Sequence, residues 1–169
     1  LTVERTGMHR RIALWILGFA GQSRFGLLLA FMAATAFISM WISNTSTSLI
    51  MMPIALAVLV AGGVADDETD GMAGALVLGV AFAASLGGLG TLVGSPTNPI
   101  AVGLIEKQVG MNISFADWSS FGIPILLVAI PLAALVLAKV QKIEATAFDP
   151  KAARIGIKPL FKVDEVPEG

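Results

Sequence analysis

A chain of 169 residues that is 56% hydrophobic, only 14% charged and of net charge −1 has too few charges for a soluble domain, where about a quarter of residues are charged. It has no cysteine, which excludes disulfides, thiol chemistry and cysteine-based metal sites, and no basic patch interleaved with aromatics, so nothing points to nucleic acid. Uncharged runs of about 20 residues or more instead mark an all-α membrane protein whose solvent is the lipid bilayer.

Residues 1–24 contain "HRRIALWILGFAGQSR", an apolar stretch flanked by Arg10, Arg11 and Arg24. It is too short to span and reads as an amphipathic helix lying in the membrane interface. The sequence opens on Leu1 without a leader, and is read as an internal piece of a longer protein.

Residues 25–65 carry no charge, yet contain the polar cluster Ser43–Ser48. Their length predicts a helical hairpin, with arms over 25–42 and 47–65 and a tip at 43–46. The arms either cross fully or tilt and re-enter. Both ends leave on one face in either case. Ser46 or Thr45 is expected to cap the second arm, and Gly62–Gly63 to end it. "ADDETDG" at 65–71 lacks the spacing of a Ca²⁺ loop and reads as a solvated turn.

Residues 72–105 are again uncharged. Gly87, Gly88, Gly90, Gly94, Pro96 and Pro99 cannot sustain a regular helix, so a discontinuous transmembrane helix is predicted. Asn98 is expected to cap a resumption at Pro99. Residues 106–118 form a polar connection. Residues 119–138 are an ordinary span kinked by Pro124 and Pro131, and 139–169 a polar tail. With the hairpin ends and tail cytoplasmic, ten of the eleven Lys and Arg lie inside and Lys107 alone lies outside.

Non-helical backbone survives at membrane depth only where protein or water satisfies it. Two such places, Ser43–Ser48 and Gly87–Asn98, point to a transporter site. Hydroxyl and amide oxygens suit a small hard cation, and half-helix N-termini suit an anion. Thr35 and Ser85 are better read as hydroxyls bonded back within their own helices. "GLGTLVG" lacks the spacing and lysine of a phosphate loop. His9, the sole histidine, has no partner for catalysis, and nothing indicates an enzyme.

"SMWISNTSTSLIMMPIA" and "ASLGGLGTLVGSPTNPIA" resemble the first half of the divalent anion/sodium symporter family, the di- and tricarboxylate transporters of the INDY type. The likeness runs from about residue 9 to 140. It implies a re-entrant hairpin, a broken helix and a further transmembrane helix, together one half of an inverted-repeat ion-transporter fold. It also implies Na⁺ coupling and an elevator-type homodimer, in the bacterial plasma membrane. By motif, Ser39, Ser43, Asn44 and Gly94 would bind Na⁺. Asn44, Thr45, Ser95, Pro96 and Thr97 would contact a small carboxylate anion. Two departures stand out. Thr97 replaces a proline common in the family, and a C-terminal half with a second Ser-Asn-Thr hairpin is absent, leaving half a substrate site. The alternatives are a related permease of the sulfate or arsenite type, or a non-transporting membrane subunit or gene fragment. A neighbouring reading frame carrying a second Ser-Asn-Thr hairpin favours transport, and its absence favours the fragment.

Overall fold

The computed structural model describes residues 23–61 and 71–143. Residues 1–22 of the expected interfacial arm, the Gly62–Gly63 stop, residues 65–70 of the acidic loop and residues 144–169 of the polar tail fall outside these residues. All regular elements among the described residues are helices: α1 (Arg24–Ser39), α2 (Asn44–Ala61), α3 (Met72–Gly87), α4 (Thr97–Val109) and α5 (Phe115–Val140).

The core forms where α1, α2, α3 and α5 meet. Leu27, Leu28, Phe31 and Met32 of α1 pack with Met51, Ile54 and Val58 of α2, Leu76 and Val80 of α3, and Ile130, Ala134 and Leu137 of α5. α1 and α3 share the most extensive interface. They run parallel: Gly79 faces Leu28 and Met32, and Gly87 faces the backbone of Ala36. α5 runs against α3, because Gly122 meets Leu89 and Gly90 while Gln141 meets Gly71 and Gly74. The starts of α1 and α3 therefore share one end of the bundle with Lys139 and Lys142.

α5 has 26 residues and, by length and composition, is the one described helix able to cross a membrane. Its outer face carries Leu127 and Val128, both more than 60% exposed, as suits contact with lipid. It begins earlier than the expected 119. Ser114 caps it, accepting from the Asp117 N–H, while Asp117 accepts from the Ser114 N–H and hydroxyl, so the first turn extends into the polar connection. α4 likewise runs beyond 105, through Glu106 and Lys107 to Val109. It stops where Gly110 takes a left-handed conformation (φ 73°) and donates to the Glu106 carbonyl.

Both breaks differ in detail from expectation. α1 ends at Ser39 and the chain turns through Met40–Ile42, ahead of the expected tip. Ser43, in place of Thr45 or Ser46, caps α2. Its hydroxyl accepts from the Ser46 N–H at 3.3 Å and its carbonyl from the Thr47 N–H at 2.9 Å. In the second break α4 starts at Thr97, so Asn98 lies inside the first turn and does not cap it. Thr35 and Ser85 donate to the carbonyls of Phe31 and Ala81, four residues back, as expected of helix-bound hydroxyls.

Gly122 also places the second break along α5. It lies seven residues into α5, about 10 Å from its start and about 27 Å from its end at 1.5 Å per residue. The contact of Leu89 and Gly90 with Gly122 therefore lies within the length of the spanning helix, not beyond it.

Candidate functional site

Four helix ends converge where the breaks meet. The C-terminal ends of α1 and α3 bring carbonyl oxygens, and the N-terminal ends of α2 and α4 bring N–H groups. Ser39, fully buried on the last turn of α1, donates to the Ala84 carbonyl at 2.6 Å and lies 2.9 Å from Asn44 Oδ1. One hydroxyl proton thus faces two acceptors. Asn44 packs over Gly88, where an added Cβ would strike its carboxamide. Gly94 folds back on the same spot: a Cβ there would lie 2.8 Å from the Gly88 carbonyl oxygen and 3.0 Å from that of Ser39. Ser39, Asn44, Gly88 and Gly94 are thereby brought into one cluster.

Two buried residues outside the expected binding set, Thr91 and the Asn98 expected to cap α4, hold the breaks together. Thr91, 2% exposed, donates to the Met40 carbonyl and accepts from the Gly94 N–H at 3.2 Å. Asn98, 3% exposed, spends its amide hydrogens on the carbonyls of Gly88 (2.7 Å) and Thr91 (2.9 Å). Each closes carbonyls that unwinding leaves without helical partners.

The remaining expected site residues lie on the open side. Ser43, Thr45, Pro96 and Thr97 are exposed, and Ser95 is half-buried. The hydroxyl of Ser43 pairs with that of Ser46, and Ser95 with Thr97, each at 2.9 Å. Ser43 thus makes no hydrogen bond to Ser39 or Asn44 and serves the helix start. Thr47, one turn beyond Asn44 on the same face, is fully buried with an unpartnered hydroxyl. An apolar cavity of 720 Å³ lies behind the second break, walled by Leu86, Leu89, Trp118, Phe121 and Leu126, and takes no part in the oxygen cluster.

Uncharged oxygens and half-helix ends gathered at a pair of breaks within an apolar helical bundle are the architecture of a secondary transporter. The chain belongs to the citrate transporter family, which it matches over residues 1–162. It is 40% identical over 134 residues, 76% of this chain, to the sodium-dependent dicarboxylate transporter SdcS of Staphylococcus saprophyticus, and covers 26% of that protein. Against the SdcS of Staphylococcus aureus it is 37% identical over 143 residues, 81% of this chain and 28% of the relative. The chain thus spans about a quarter of the length of these relatives. They agree with the likeness to divalent anion/sodium symporters carried by the Ser-Asn-Thr and Gly-Ser-Pro motifs. The family is one of membrane transporters, not enzymes.

Proposed function

We propose that this chain forms one cation site and half of the anion site of a Na⁺-coupled di- or tricarboxylate symporter, which works as an elevator-type homodimer. The observation that carries the reading is the Ser39–Asn44–Gly88–Gly94 junction. There oxygen donors converge with no charged side chain from Phe25 to Ala61 or from Gly71 to Ile105. The names of the relatives supply the ion and the substrate class, and favour a carboxylate over sulfate or arsenite.

The donor set fits a small hard cation. The Asn44 oxygen, the Ser39 hydroxyl and the carbonyls around Gly94 are neutral oxygen ligands. Ser39 has fewer protons than acceptors, and the unpartnered Thr47 hydroxyl lies one turn away. Ser43 enters this set only through a shift of its hydroxyl away from the α2 cap. A substrate carboxylate would meet Asn44, Thr45, Ser95, Pro96 and Thr97 on the open side, beside the N-termini of α2 and α4. Those ends are worth at most ~2 kcal/mol each, too little for an ionised carboxylate taken from water. A bound cation supplies the missing charge and links the two ligands thermodynamically.

The test is uptake of labelled succinate by the full-length protein in vesicles at fixed pH, with Na⁺ replaced by choline. Uptake is expected to vanish with Na⁺ and return with it; uptake indifferent to Na⁺ and Li⁺ refutes the assignment.

On this reading α1–α2 is a re-entrant hairpin, with both ends, Lys139 and Lys142 at the cytoplasmic face of a bacterial plasma membrane. An inverted second half completes the substrate site. Single cysteines at Asn112 and Lys142 are then expected to react with impermeant reagents from opposite sides. Labelling of both from one side rejects the topology.

A further inference from the structure

The second break is gripped from two directions. Gly88 meets Asn44, and Thr91 bonds the Met40 carbonyl; both contacts reach the hairpin. The residues between them, Leu89 and Gly90, are held by α5. The indole N–H of Trp118 donates to the Leu89 carbonyl at 3.0 Å. One turn on, Gly122 lies so close that a Cβ would come within 2.8 Å of the Leu89 carbonyl oxygen and 2.7 Å of that of Gly90. Of the four consecutive residues 88–91, the outer two thus have their positions set by the hairpin and the inner two by the spanning helix, with Gly90 also close to Met40.

A tryptophan near the end of a spanning helix is ordinarily an interfacial anchor, in which ring size and amphipathy matter more than one hydrogen bond. Here the N–H is committed to a carbonyl in unwound backbone, the kind of group that is costly to leave unpaired at membrane depth. The Gly122 contact is a second, independent hold on the same dipeptide. We propose that Trp118 and Gly122 are positioning residues for the cation site, setting Leu89–Gly90 so that Gly88 and Gly94 meet Asn44. The inference rests on the sodium-site reading above. Loosening the grip lets the break sample conformers that do not bind, and apparent affinity falls with the competent fraction.

The experiment uses the full-length protein in proteoliposomes, with folded protein quantified by size exclusion. Half-saturating Na⁺ and maximal succinate uptake are measured separately. Trp118→Phe keeps the ring and removes the donor. It is expected to raise half-saturating Na⁺ by about 3- to 10-fold, the weight of one hydrogen bond, with the maximal rate at saturating Na⁺ within about two-fold. Gly122→Ala is expected to shift it further in the same direction, and Leu127→Ala, on the lipid face, to shift neither quantity. Unchanged Na⁺ half-saturation in Trp118→Phe overturns the proposal, as does a fall in maximal rate alone, which marks a structural role. If Gly122→Ala does not fold, Trp118→Phe carries the test. A wild-type protein indifferent to Na⁺ refutes the sodium reading itself, a separate outcome from a sodium-dependent protein that ignores Trp118→Phe.

Discussion

Asn44→Ala in the full-length protein is expected to lower Na⁺-driven succinate uptake by roughly 30- to 150-fold, the equivalent of about 2–3 kcal/mol for interactions made to a charged ligand. The Asn44 side chain touches both sides of the junction. Its oxygen lies 2.9 Å from the Ser39 hydroxyl, and its carboxamide covers Gly88. Alanine removes a cation ligand and a carboxylate donor together, and leaves Ser39 with the Ala84 carbonyl as its remaining partner. Met52→Leu, two turns along the same helix and partly buried against the core, conserves volume and should cost under about 1.5 kcal/mol of stability, with uptake little changed. Uptake at varied Na⁺ for both variants decides the matter. Equal losses would mean that Asn44 acts through packing and not through ligation.

Gly87→Ala and Gly88→Ala are expected to fail in different ways although they are neighbours. At Gly87 the new methyl would overlap the Ala36 carbonyl oxygen and lie 2.7 Å from its Cα. Backbone cannot step aside, so α1 and α3 must separate along their main interface. Overpacking of this kind costs about 3 kcal/mol, more than the roughly 1 kcal/mol that alanine returns in helix propensity. The expected result is a lower melting temperature and less folded protein. At Gly88 the obstacle is the end of the Asn44 side chain, which can rotate away. Folding should survive while Na⁺-driven uptake falls toward the level of Asn44→Ala. Gly103→Ala, on α4 with nothing within 4 Å, should change neither. Thermal unfolding in detergent and uptake, measured on all three, separate the effects. A Gly88→Ala protein with normal uptake would break the link between the glycine and the asparagine.

The broken helix was readable because glycine and proline are poor helix formers whatever surrounds them, and the polar run because Ser, Asn and Thr stand out against an uncharged background. The position of the first turn was not. It falls at Met40–Trp41–Ile42, three apolar residues that carry no local stop signal. What ends α1 is the competing cap at Ser43 together with a tertiary bond from Thr91, 51 residues away. The same limit hid Thr91 and Asn98. One hydroxyl and one amide in a glycine-rich stretch do not disclose which carbonyls they will close, since the partners are fixed by how the helices pack. Two other differences were local and could have been read. The Ser114–Asp117 capping pair moves the start of α5, and Gly110 stops α4 after the charged Glu106 and Lys107, which helical backbone tolerates freely.

The absence of fixed charge around the junction has an electrical consequence. Helix ends of opposite polarity meet there, and Phe25–Ala61 and Gly71–Ile105 contribute no ionised side chain. If these residues travel with their cargo, they carry no gating charge of their own. The membrane potential, worth about 2.3 kcal/mol per elementary charge per 100 mV, then acts through this half only on the loaded ions. A dicarboxylate moved with two Na⁺ would pass silently, and each further cation would add one unit of current. Charge counted per substrate molecule by electrophysiology would therefore read the stoichiometry directly, apart from any charge that the rest of the protein brings.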